Sequence, residues 1–280
     1  VHFVNLKALK KDRLLVTDLP QHDIFAESIR GVRSSVLLGS PSKTSTVLVV
    51  TSAVPGDGKT TFTANFAATM AIMKQRVLLV DVDLRRGTAH QIFQAPREPG
   101  LSEALEGRVL WRNVVHSTEI ETLSLITTGA IPENPGELLL GRTMSEFLQE
   151  ARESYDYVIL DTPPLISIND TLSLLSSCDG VIFGVRAGQT SMRFAKTALA
   201  AIRQRETPIL GLVLNGITSD NPSYYYQQYY HAYYNQGEVS KREVTAAEPR
   251  PRPAPVPANS IEASARTLAG RTQTTERLRV

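Results

Sequence analysis

The sequence predicts an α/β fold, a mainly parallel sheet flanked by helices, and three observations carry that prediction. Apolar, largely β-branched runs recur as unbroken blocks at Val47–Val50, Val77–Val80, Val158–Leu160, Gly180–Val185 and Ile209–Leu214. Strands buried on both faces read this way, whereas half-exposed strands alternate apolar with polar residues. Helix-compatible stretches separate the blocks, so β and α alternate from Val47 to Ile217 and right-handed crossovers follow. One block runs into a glycine-containing loop and two end on aspartates, at the sheet edge where α/β folds bind ligands.

Taken in order, residues 1–23 are mixed and polar, with a basic cluster at Lys7, Lys10, Lys11 and Arg13, and read as a solvated lead-in. From Asp23 the pattern IFAESIRGVRSSVLL is helical, with Ile24, Phe25, Ile29, Val32 and Val36 as its apolar stripe. Glu27, Arg30 and Arg33 lie three apart on its polar side, where acid and base can pair within the helix or reach a neighbouring subunit. Residues 40–46 are a linker. The block VLVVTSAVPGDGKTT (Val47–Thr61) then reads as a strand, a loop containing Pro55, Gly56, Asp57 and Gly58, and a helix start at Lys59, Thr60 and Thr61. Such a loop turns backbone N–H groups toward a phosphate, its lysine reaches the β/γ oxygens, and its first threonine hydroxyl reaches Mg²⁺. Ala53 stands where the first glycine of this pattern is usual.

The helix from Thr60 to about Met73 ends in Lys74, Gln75 and Arg76, and VLLVDVDLRR (Val77–Arg86) follows as a strand closing on Asp81 and Asp83. Carboxylates emerging from a buried strand need a cation opposite them. The plainer alternative is that the two aspartates cap the next turn. Residues 87–122 hold weak helices, among them Leu101–Gly107, and a lone Trp111 suited to packing. Leu123–Ile126 is a short strand, and a helix starting at Glu137 is expected to run through ELLLGRTMSEFLQEARE. The strand of Tyr155–Leu160 ends on Asp161, and the Pro-Pro after Thr162 stops it. DTLSLLSSC (from Asp170) reads as one helix, followed by a strand, a helix and the final strand PILGLVLNGI.

Composition narrows the function. A net charge of +2 argues against non-specific nucleic-acid binding. A single cysteine, Cys178, excludes an internal disulfide and suits a buried, inert thiol in a reducing cytosol. His2, His22, His90, His116 and His231 show no metal-ligand spacing. No apolar run approaches the ~20 residues that span a bilayer, and no signal peptide opens the chain, so it is expected to be soluble. It opens on Val1, not Met, which fits a piece whose upstream part is missing and leaves tethering through that part or a partner open.

Beyond Ile217 the chemistry changes. Residues 224–234, YYYQQYYHAYY, gather Tyr224, Tyr225, Tyr226, Tyr229, Tyr230, Tyr233 and Tyr234, seven of the nine tyrosines. They read either as a sticky low-complexity patch or as phosphate acceptors, since phosphorylation would turn a neutral patch anionic. From Gly237 the chain is polar with an alternating-proline run, PRPRPAPVPA, and is expected to be disordered. The organisation expected is an N-terminal segment with its helix (1–45), a core (46–220), a tyrosine cluster (221–236) and a Pro/Arg-rich tail (237–280).

Over roughly residues 23–234 the chain resembles the bacterial tyrosine kinases (BY-kinases) that accompany capsule and exopolysaccharide export. Ala53–Thr61 resembles their Walker A motif, with Asp57 where Glu is more usual; Val77–Arg86 resembles Walker A′ and Val158–Asp161 Walker B. PENPGELL (Pro132–Leu139) and GLSEAL (Gly100–Leu105) are similar to further landmarks. Gly87 departs from the proline that usually follows the paired arginines, and the long Pro/Arg tail is not typical. The resemblance implies a P-loop NTPase fold of the deviant Walker type and an ATP- and Mg²⁺-dependent tyrosine autokinase. It implies Lys59 on the β/γ-phosphates and Thr60 and Asp83 on Mg²⁺. Asp161 would place a metal-bound water or second carboxylate, Asp81 would accept the tyrosine proton, and Arg186 and Asn215 would meet the base. Glu27, Arg30 and Arg33 match the family's E-x-x-R-x-x-R helix, which implies ring contacts through which one subunit's tyrosines reach the next subunit's site. The implied partners are further copies, a transmembrane activator of the polysaccharide co-polymerase type, fused or separate, and other enzymes of sugar metabolism. The implied location is the inner face of the bacterial plasma membrane. The nearest alternative is a partition or septum-positioning ATPase, whose output is hydrolysis and dimer switching. That group carries a signature lysine where Val54 stands.

Overall fold

A computed structural model describes residues 2–4, 15–20, 23–39, 45–167 and 170–217. The tyrosine cluster and the Pro/Arg-rich tail lie outside them.

Among the described residues eight strands form one sheet: β1 (His2–Val4), β2 (Thr46–Ser52), β3 (Val77–Asp81), β4 (Val115–Ser117), β5 (Leu123–Ile126), β6 (Tyr157–Asp161), β7 (Gly180–Arg186) and β8 (Ile209–Asn215). Their order is β1-β8-β7-β2-β6-β3-β5-β4, and every pairing is parallel except β4 with β5. β2 is central and buried along its whole length. Its side chains divide by parity as a pleated strand requires. Val47 and Val49 enter one core layer, Leu48 and Val50 the other. Leu78 and Val80 of β3, and Val158 and Leu160 of β6, follow the first pair, while Leu79 and Ile159 follow the second.

Helices α1 (Ile24–Gly39), α2 (Lys59–Ile72) and α3 (Ala89–Ile92) cover one face, contributing Phe25, Ile29, Val32, Phe62, Phe66 and Ala89. The other face carries α4 (Leu101–Leu105), α5 (Pro135–Leu140), α6 (Arg142–Ser154), α7 (Asp170–Leu174) and α8 (Met192–Arg203). The expected stripe of α1 is buried at Phe25, Ile29, Val32 and Val36, and Asp23 caps the helix by accepting from the Phe25 and Ala26 amides at 2.8 and 3.2 Å. Trp111 packs as expected, edge-on to Phe147 with centroids 5.3 Å apart, and its Nε1 donates to Glu150. Cys178 is also structural: its thiol donates to the Leu174 carbonyl, and burial pushes it up to about 12. Among the described residues no helix is long and apolar enough to cross a membrane.

Four expectations are corrected. The lead-in is not wholly solvated, because β1 pairs with β8 in the register His2↔Val213, and Val16 is buried with its amide donating to Asn65 at 2.7 Å. β4 falls where only weak helices were expected. The helix expected from Glu137 is two, parted at Gly141, whose φ of −66° and ψ of 156° are extended. Leu139 and Met144 both face the core but lie five apart, out of step with a 3.6-residue period, whereas Met144, Phe147, Leu148 and Ala151 are in step. The helix expected from Asp170 stops after Leu174, and a 3₁₀ turn finishes the segment.

Candidate active site

β2 delivers the chain to the phosphate loop at the C-terminal edge of the sheet. Gly56 and Gly58 have φ of +85° and +82°, a left-handed backbone that glycine adopts without strain. Gly58 precedes α2 and brings no side chain to the helix's first N–H groups, so these stay available to an anion. Lys59 and Thr60 open α2 beside them.

β3 and β6 are neighbours, and their register sets Asp81 directly opposite Asp161. Both carboxylates are buried, at 0% and 1% exposure. Asp161 is met by α2: Thr60 bonds it, and Thr63 Oγ1 donates to its Oδ1 at 3.1 Å. Burial pushes Asp161 up to about 6 and Asp83 adds to the rise, while Thr60, Lys59 and Thr63 oppose it. Burial, then Asp161, raise Asp81 well above the usual carboxylate range. Asp81 is held by backbone donors, with the Ala89 amide at 2.9 Å and the Asp83 amide at 3.3 Å. Asp83 is half-buried and accepts from the Arg86 amide at 2.9 Å. Both aspartates therefore do brace the following turn, as the plainer reading had it. Capping alone, however, does not require two buried carboxylates face to face.

That turn is tightly built. Arg85 pairs with Asp170 at the start of α7, 3.1 Å away. A Cβ on Gly87 would lie 2.2 Å from Thr128 Cγ2 and 2.4 Å from Asp81 Oδ1. The departure from proline at this position is thus a packing requirement of this site.

The structure brings together Lys59, Thr60, Asp81, Asp83 and Asp161, with Thr61 one residue further along α2. Of the other loop residues predicted for the site, Asp57 alone is buried away from solvent. Pro55 and Gly56 are exposed, but the Asp57 side chain is fully buried and turned from the cleft, accepting from Thr190 Oγ1 at 2.6 Å and the Val54 amide at 3.4 Å. Arg186 Nη1 donates to the Gly56 carbonyl at 2.7 Å and Asn215 Nδ2 to the Asp57 carbonyl at 2.9 Å, so both hold the loop. Asn215 Oδ1 is buried and accepts nothing from the described residues. On α1, Glu27 pairs with Arg30 at 2.7 Å, and Arg33 donates to the Thr69 carbonyl at 3.1 Å. Burial lowers the Arg33 guanidinium, with Arg30 adding to the effect.

Thr63 and Thr190 were missed. Thr63 had a signal, since it lies one helical turn after Lys59 and Thr60 and so shares their face. Thr190 had none in the sequence. The donor set fits a hard cation: hydroxyl and carboxylate oxygens, with negative charge in excess and proton affinity raised. Among the described residues no three His, Cys, Asp or Glu form a group that could hold a metal ion by themselves.

Residues 45–208 match the protein family described as AAA domain. The putative tyrosine-protein kinase EpsB of Ralstonia nicotianae is 32% identical over 239 residues, 85% of this chain and 32% of that protein. The tyrosine-protein kinase YwqD of Bacillus subtilis is 34% identical over 191 residues, 68% of this chain and 81% of that protein. The chain belongs to the bacterial tyrosine kinase family. The solved kinase domain of the Escherichia coli tyrosine kinase ETK shares its fold at a TM-score of 0.70, with 27% identity, covering 79% of this chain and 91% of that one. The chain thus corresponds to the kinase domain, and it spans about a third (32%) of the length of the first curated relatives it matches.

Proposed function

We propose that this domain transfers the γ-phosphoryl group of ATP to tyrosine hydroxyls, with Tyr224–Tyr234 of a neighbouring copy as acceptors. The observation that carries the reading is the buried Asp81–Asp161 pair, set in register beside the N-terminus of α2. Asp161 is bound by α2 hydroxyls, which ties it to the phosphate loop. Asp81 has backbone donors and no such hydroxyl, which leaves its carboxylate suited to take a phenolic proton. A phenol near pKa ~10 is only weakly acidic, so a positioned base matters more than ionisation in solution.

Lys59 and the open N–H groups of the loop would neutralise the phosphates, and Asn215 Oδ1 would accept from an amino group of the base. Thr60, Asp83 and Asp161 would hold Mg²⁺, which when bound offsets charge on the transferring group. Val54, partly buried against the core, puts no cation where partition ATPases carry lysine. By family resemblance, copies joined through Glu27, Arg30 and Arg33 would form a ring. Phosphorylation at roughly −1.5 to −2 charge per tyrosine would loosen it. That cycle, with a transmembrane partner at the inner membrane face, would regulate exopolysaccharide polymerisation and export.

The test is incubation with γ-labelled ATP and Mg²⁺. Label on tyrosine is expected, lost in Lys59→Met and reduced at least ~100-fold in Asp81→Ala, the scale of a removed general base. A Lys59→Met chain should still be labelled by a wild-type chain whose cluster tyrosines are phenylalanine. Free phosphate without phosphotyrosine would overturn the reading.

A further inference from the structure

Asp57 lies in the middle of the phosphate loop, yet its carboxylate is at 0% exposure and faces the protein interior. A buried carboxylate needs donors. Its short contact is the Thr190 hydroxyl at 2.6 Å, across 133 residues of chain, against 3.4 Å for the Val54 amide. The direction of that contact is fixed. Thr190 Oγ1 accepts from the Arg186 amide at 2.8 Å, so its single proton is free to point at Asp57. The turn that delivers Thr190 is itself closed: the Gln189 and Thr190 amides both donate to the Arg186 carbonyl, at 3.2 and 3.0 Å, and Gly188 takes φ +69°. From the same turn Arg186 Nη1 holds the Gly56 carbonyl. Residues 186–190 thus grip the loop at Gly56 through a main-chain oxygen and at Asp57 through its side chain.

We propose that Thr190 is a positioning residue for the phosphate loop, acting through Asp57. Holding this carboxylate inward keeps the peptides of Gly56–Lys59 turned so that their N–H groups can meet an anion. Asp57 and Thr190 are a matched pair, the buried carboxylate being met by a hydroxyl brought up on the turn after β7. The proposal rests on the reading that nucleotide phosphates bind in this loop.

The test uses the full chain with Thr190→Val, which removes the hydroxyl at nearly constant shape, and with Thr190→Ser, Asp57→Asn and the Val/Asn double variant. Three quantities are read: affinity for a fluorescent ATP analogue with Mg²⁺, KM and kcat for tyrosine labelling, and amide exchange of residues 54–58 without nucleotide. Loss of a hydrogen bond to a charged group is expected to weaken nucleotide binding roughly 10- to 100-fold in Thr190→Val. The loss should fall on the KM for ATP more than on kcat, exchange at 54–58 should quicken, and Thr190→Ser should stay within about threefold of wild type, as retained hydroxyl chemistry implies. The double variant should be no worse than the weaker single one, the mark of coupled partners. Affinity of Thr190→Val within twofold of wild type, unchanged exchange, or additive losses would each overturn the proposal. A wild-type chain that binds no nucleotide overturns the kinase reading instead, and exchange at 54–58 then decides the role of Thr190 by itself.

Discussion

Replacing Gly87 by alanine probes how tightly the second aspartate strand is set against its neighbours. The added Cβ would lie 2.2 Å from Thr128 Cγ2 and 2.4 and 2.5 Å from the two Asp81 carboxylate oxygens, all inside contact distance. Thr128 is buried at 0% exposure, and Asp81 is held by the Ala89 and Asp83 amides, so neither neighbour can swing away freely. Overpacking of this kind costs about 1–3 kcal/mol. Displacing the Asp81 carboxylate from a backbone donor adds about 1–2 kcal/mol more. A melting temperature lowered by roughly 4–20 °C is expected for a domain of this size at about 2–4 °C per kcal/mol. Because the displaced group is the proposed base, tyrosine labelling should fall further than stability explains. Thr128→Ser removes Cγ2 but keeps the hydroxyl that meets Arg97 and Gly129, so Gly87→Ala with Thr128→Ser should regain part of both losses. Thermal melting and phosphotyrosine rates on the four chains form the assay. Wild-type melting and turnover in Gly87→Ala would refute the packing argument.

Two further outcomes follow from the carboxylate cluster. Thr63→Val deletes the donor 3.1 Å from Asp161 Oδ1, and about 1–3 kcal/mol of stability and a loss of metal-supported labelling are expected, read by denaturant unfolding and labelled ATP. Asp161 titrates at about 6 in the folded chain, against an ordinary value of 3.8. The folded state therefore binds the proton more tightly, and its contribution to stability is present below about pH 4 and lost as pH rises through about 6. Asp161→Asn should consequently melt higher than wild type at pH 7.5 without nucleotide or metal, by up to ~3 kcal/mol for some two pKa units, and match it near pH 4. A constant difference across that range would show that the carboxylate is not strained by burial.

What was legible in the sequence is what short range encodes. The phosphate loop is contiguous from Val47 to Thr61, and the pattern that marks it lies in its own glycines and one lysine, so a single stretch states it. The two aspartate-ended strands could be read because an unbroken apolar run says buried, and a carboxylate at its end says sheet edge. The helix of Glu27, Arg30 and Arg33 was readable from period alone, but period left open which partner each residue takes. In the monomer Glu27 takes Arg30, and Arg33 takes a carbonyl of α2.

The tertiary structure decided what depends on groups far apart in the chain. Strand order set Asp81 against Asp161, 80 residues apart, by the register of β3 on β6. Thr190 reaches Asp57 across 133 residues, and no local pattern marks it, because a lone threonine in a turn looks like any other. The same holds for β1, whose three residues are a strand only because β8 offers an edge. Gly87 was visible as an oddity, but its reason lies in Thr128 and Asp81, which pack where a Cβ would go. Sequence alone determined the phosphate loop and the strands, since propensity and burial periodicity act over a few residues. Packing decided which carboxylates face each other and what holds the loop, since such contacts exist only once the chain has closed on itself.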